Sequence, residues 1–97
     1  MAARLVFRVH PVRRMSERGI TERDVREIRS AGESVEEYPD DTPYASRLVL
    51  RWCRGRPLHV VVAENAEAHE TIVTTVYDPD PTLWEPGFRQ RQRPWNA

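Results

Sequence analysis

A chain of 97 residues with one cysteine, Cys53, fits a single domain with one core and excludes both an internal disulfide framework and a cysteine-rich zinc site. Its 15 basic residues are all arginine and are matched by 15 acidic ones, so the net charge of zero excludes the uniformly basic surface of a general nucleic-acid binder. Apolar runs of at most about six residues exclude a membrane-spanning helix, and the start MAARLVFRVHP has neither the apolar core nor the cleavage site of a signal peptide, so a cytoplasmic protein is expected.

The charge is unevenly spread: residues 1–31 carry eight arginines, 33–41 is acidic, and the chain from Phe88 is basic again. Leu5 to Val9 has the apolar, β-branched content of an edge strand and ends at His10-Pro11. Proline suits the first helical position, so a helix is expected from Pro11 to Arg18, stopped by Gly19, with Val12 and Met15 as its apolar stripe. His10, Arg14 and Arg18 form an adjacent row on it, Arg18 nearest the stripe. A second helix begins at the N-cap Thr21, with Asp24 completing a capping box and Ile20 stapling onto Val25. Val25 and Ile28 face the core, and Gly32 is expected to supply a left-handed stop.

From there the period changes to two. Glu33 to Tyr38 is a short strand closed by the turn-rich Pro39 to Pro43, and Ser46 to Cys53 alternates cleanly. Arg54-Gly55-Arg56-Pro57 is a hairpin turn, and Leu58 to Ala63 and Thr71 to Tyr77 are β-branched strands joined by a polar loop. Regular structure is expected to end at Asp78-Pro79-Asp80-Pro81, with Trp84 packing back on the body. The expected fold is α+β, two N-terminal helices packed on one face of an antiparallel sheet of roughly three to five strands. The domain spans 1–85, and 86–97 is a basic C-terminal tail.

Pairing Trp52 with Leu58 and Val61 with Val73 places Leu48, Leu50, Trp52, Leu58, Val60, Val62, Ile72 and Val76 on the face beneath the helices. Arg51, His59, Thr75 and Tyr77 then share the opposite face, above Val49, Val61 and Val73. An arginine, a histidine, a hydroxyl and a phenol are the parts of a metal-independent phosphodiester-cleaving site, which needs a base, an acid and a cation on the phosphate oxygens. His10, His59 and His69 lack the spacing that gathers metal ligands, so no metal and no cofactor are expected.

His10, then Arg14-Met15-x-x-Arg18-Gly19-Ile20-Thr21-x-x-Asp24-Val25, Glu37-Tyr38-Pro39, Arg56-Pro57-Leu58-His59-Val60-Val61 and Thr75-Val76-Tyr77-x-Pro79 occur in an order that resembles domain-of-unknown-function family 4258. The resemblance spans His10 to Trp84 and implies the barnase, colicin and RelE-like ribonuclease fold group of bacterial toxins, often encoded beside a zinc-finger antitoxin. Carried over by position, it implies His59, Tyr77 and Arg18 as catalytic residues and His10 and Thr75 as substrate contacts. Arg51, a further phosphate contact, rests on the strand pairing alone.

The leading expectation is a metal-independent endoribonuclease-like toxin component, with RNA as ligand, a zinc-finger antitoxin as partner and no membrane contact. The alternative is a non-catalytic protein- or nucleic-acid-binding module that forms a homodimer. Each residue also has a structural reading: His59 bonded across the sheet, Tyr77 a core lid, Thr75 a strand former, His10 a cap and Arg18 an ion-pair partner. The tail from Arg89 to Trp95 reads either as an RNA contact or as a frayed end.

Overall fold

The computed structural model describes residues 4–92, apart from the side chains of Val9 and His10. Its elements are β1 (Arg4–Phe7), α1 (Val9–Arg18), α2 (Glu22–Ala31), β2 (Glu33–Tyr38), β3 (Ser46–Cys53), β4 (Arg56–Asn65) and β5 (Glu70–Tyr77). The molecule is α+β, with two helices and one five-stranded sheet of order β1-β5-β4-β3-β2. The sheet is mixed: β2 to β5 form an antiparallel meander, while β1 runs parallel to β5, from Arg4 beside Glu70 to Phe7 beside Val73. This corrects the expected antiparallel sheet, because alternation marks a strand but carries no strand direction.

The helix ends obey local chemistry. Thr21 Oγ1 accepts from the Asp24 N–H at 3.0 Å, and Asp24 Oδ2 accepts from the Thr21 N–H at 2.9 Å, which completes the capping box. Asp24 also takes both Arg54 Nη groups at 2.9 Å. That fork lowers its pKa and ties the start of α2 to the β3–β4 turn. Gly19, at φ 66°, provides the left-handed stop of α1. Gly32 does not repeat it: its φ is −76°, ordinary extended backbone. There the absence of a side chain is what counts, since a Cβ would lie 2.5 Å from Val49 Cγ1 and 2.9 Å from the Leu50 carbonyl.

Met15 of α1, Ile20 and the fully buried Val25 and Ile28 of α2 join Val49, Cys53, Leu58, Val60, Val62, Val73 and Val76 in one apolar cluster. On α1 the buried stripe is Pro11 and Met15, four residues apart, whereas Val12 is 51 % exposed, contrary to the expected pattern.

Two details of register decide what each sheet face carries. Arg54 and Gly55 both have positive φ, 54° and 76°, so β3 and β4 are joined by a two-residue turn rather than by the four residues Arg54 to Pro57. Trp52 therefore pairs with Pro57 and Arg51 with Leu58, one residue from the expected register. A slip of one exchanges the two sides of a strand, so Val49 and Cys53 enter the helix-side core. Leu48, Leu50 and Trp52 move to the other face. Between β4 and β5, His59 pairs with Tyr77 and Val61 with Thr75, after which a bulge at Val61/Val62 brings Val62 opposite Val73. His59, Thr75 and Tyr77 thus share a face.

Candidate functional site

His59 lies near the middle of the sheet on β4 and is 0 % exposed. Its Nε2 is 2.9 Å from the Phe88 carbonyl oxygen and its Nδ1 is 3.1 Å from Tyr77 Oη. A carbonyl only accepts, so Nε2–H donates to Phe88 and Nδ1 accepts from the Tyr77 phenol. The ring is also packed edge-on by Tyr77 at 5.2 Å and Trp84 at 4.5 Å. Burial lowers its pKa, against the Phe88 carbonyl, which raises it. His59 is therefore neutral at pH 7, with both nitrogens already engaged.

The cover comes from segment 79–92, which runs back across the face away from the helix-side core. Trp84 is 2 % exposed, as expected, and lies against His59. Phe88 meets Trp52 at 5.9 Å, Arg89 Nε reaches Glu33 at 2.7 Å, and Arg91 Nε reaches Glu36 at 2.8 Å, so the segment extends from the end of β5 to β2. Positive φ at Gly87 and Phe88 forms the turn that presents the Phe88 carbonyl to the imidazole. Arg91 also stacks over the Trp84 ring at 4.7 Å.

Thr75 and Tyr77, which share the face of His59, lie beside open space. β1 pairs with β5 only as far as Phe7 and Val73; the Arg8 N–H still reaches the Val73 carbonyl at 3.2 Å, and the chain then turns into α1. Beyond that point β1 no longer flanks β5. A groove of about 670 Å³ lies there, with Arg13, Arg14 and Glu17 of α1 facing Thr74, Thr75 and Tyr77. Thr75 is exposed and Tyr77 half-buried. Among the described residues, neither the Arg13 nor the Arg14 side chain has an ion-pair or hydrogen-bond partner.

Arg18 does not join this groove's lining. Its Nη1 is 3.3 Å from Asp78 Oδ2, and Arg56 Nε takes the other carboxylate oxygen at 2.9 Å. Arg51 is corrected outright as a neighbour of His59. The two-residue turn moves it to the helix side, where its Nε is 3.5 Å from Glu27 Oε2 and its Nη1 donates to the Ala31 carbonyl at 3.3 Å. His10 falls in the first turn of α1, and its side chain lies outside the described residues, as do Arg93 to Trp95. Sequence reasoning missed the contribution of Arg13 and Arg14 beside Thr75. Nothing in the strand alternation says that β1 stops short of the end of β5.

Among the described residues no group of three His, Cys, Asp or Glu side chains is gathered to hold a metal ion, and no helix is long and apolar enough to cross a membrane. The molecule is thus a small α+β domain with a covered histidine and an arginine-lined groove at a free strand edge. The chain belongs to the DUF4258 family: the model of this domain of unknown function matches residues 7–78. No curated protein and no solved structure matches it. The family match ends where the covering segment begins.

Proposed function

We propose that this protein is an RNA-directed domain that holds the RNA backbone in the groove between α1 and the free edge of β5. The observation that supports this is the pair Arg13 and Arg14, two cations without partners among the described residues, facing the Thr75 hydroxyl across about 670 Å³ of open space. Guanidinium forks match phosphate oxygens two at a time, and a hydroxyl can donate to a third. Binding is favoured over cleavage in this conformation. His59, the expected acid or base, has no free nitrogen, and burial raises the pKa of Tyr77, which holds its proton on the phenol.

Anisotropy titration of a labelled single-stranded RNA tests this reading. The double variant Arg13→Ala/Arg14→Ala is expected to bind about tenfold or more weakly, since each charged hydrogen bond contributes roughly 1.5–3 kcal/mol. The slope of log affinity against log salt should flatten by about 1.4 for two lost phosphate contacts. Unchanged affinity in a folded double variant contradicts the reading.

One observation favours a second reading, the metal-independent endoribonuclease toxin. Tyr77 lines the groove, and its phenol is bonded to His59, so a proton path leads from the groove to the imidazole. This reading requires RNA cleavage without added metal, and its loss in Tyr77→Phe.

A further inference from the structure

We infer that the ligand is an extended single strand of several nucleotides, following a track that leaves the α1/β5 groove, passes the end of β1 and enters a second cleft. This rests on the proposed RNA-binding reading of the groove and adds the length and path of the chain it takes. The second cleft, of about 360 Å³, is lined by Arg8, Tyr44, Ser46, Ile72 and Thr74, with Asp41 and Pro43 at its wall. Thr74, the residue that follows the end of the β1–β5 pairing, lines both clefts.

Arg8 stands at that junction. It is the residue between β1 and α1, its backbone is anchored to the Val73 carbonyl, and its exposed side chain has no partner among the described residues. Arg8, Arg13 and Arg14 thus place three cations along one path around the strand edge, against Glu17 in the first cleft and Asp41 in the second. One oxygen of the Asp41 carboxylate accepts from the Ser46 hydroxyl. A single phosphate group needs only one end of this path, whereas consecutive phosphates of a strand use its whole length.

Tyr44 contributes an aromatic residue to the lining of the second cleft. Its hydroxyl accepts from Asn65 Nδ2 at 2.9 Å, which restrains the half-buried ring. Fixed aromatic faces beside a basic groove are how single strands are held without sequence preference, and a duplex, whose bases are stacked internally, has none to offer.

A chain-length series measured by anisotropy tests the track, using labelled RNAs of about 3 and about 12 nucleotides, below and within the site sizes of single-strand binders. The longer RNA is expected to bind about tenfold or more tightly. Arg8→Ala should lower its affinity about five- to tenfold and leave the short RNA unaffected; Tyr44→Leu should act in the same direction, and Arg8, being exposed, can be replaced without disturbing the fold. If Arg13→Ala/Arg14→Ala weakens both RNAs but Arg8→Ala weakens neither, the track is overturned while the groove stands. If none of the variants alters binding of either RNA, the groove reading fails and the track with it.

Discussion

His59 and Thr75 share one face of one sheet, yet the first is sealed and the second open. His59 is 0 % exposed beneath Trp84 and the Phe88 carbonyl, while Thr75 is exposed beside Arg13 and Arg14. The strands treat the two residues alike; the difference lies in what the neighbouring chain does. Segment 79–92 crosses β4 and β3 to reach β2, and β1 ends early on the opposite side of β5. A polar residue on a sheet face is therefore a candidate for function only where no other segment supplies its hydrogen bonds. His59 has both partners supplied from within; the groove arginines have none among the described residues.

The largest way to break the comparison is to remove the cover. Trp84→Ala should cost about 3–5 kcal/mol of stability by the usual range for deleting a buried indole, read as a shift of the urea unfolding midpoint. In the variant that remains folded, His59 should titrate closer to its ordinary value of 6.5 by NMR, because the burial that depresses it is relieved. An unchanged midpoint would show that the segment lies on the sheet without contributing to it.

The intact cover predicts a pH dependence of intermediate size. The folded-state pKa of His59 is below the 6.5 of the free side chain, so below that pH the unfolded chain binds a proton that the folded chain refuses. Stability is then full above about pH 6.5 and falls as pH drops toward the native pKa, by up to about 1.4 kcal/mol per unit. Asp24, also lowered, destabilises the fold only further down, as pH falls below its ordinary 3.8. His59→Gln should abolish the slope just below pH 6.5; a slope that persists in this variant assigns it elsewhere. The smallest effect is at the rim, where Arg89 and Glu33 pair with side chains 61 % and 51 % exposed. Arg89→Ala should change stability by less than about 1 kcal/mol, and less again in high salt.

What the sequence made legible was local. Thr21 with Asp24 and the stop at Gly19 depend on a few consecutive residues, and both are realised. The period of two correctly grouped His59, Thr75 and Tyr77, since all three lie before the bulge breaks the parity. It misplaced Arg51, because the turn pairs Trp52 with Pro57 rather than with the expected Leu58, and a shift of one residue is enough to exchange the faces. Gly32 carried a glycine signal whose reason was crowding against Val49, a contact far away in sequence. The cover over His59 was hidden because segment 79–92, with Pro79, Pro81 and Pro86, has no periodicity; Trp84 alone announced it. The sequence placed Arg14 only in a row with His10 and Arg18 and left Arg13 without a role, because the setting of both depends on where β1 stops.

The most direct test of the groove is the affinity of a labelled single-stranded RNA for the protein and for Arg13→Ala/Arg14→Ala, measured over a range of salt. A loss of about tenfold or more with a flatter salt slope is the predicted result. Equal affinity and equal slope in a double variant with an unchanged unfolding midpoint would contradict it.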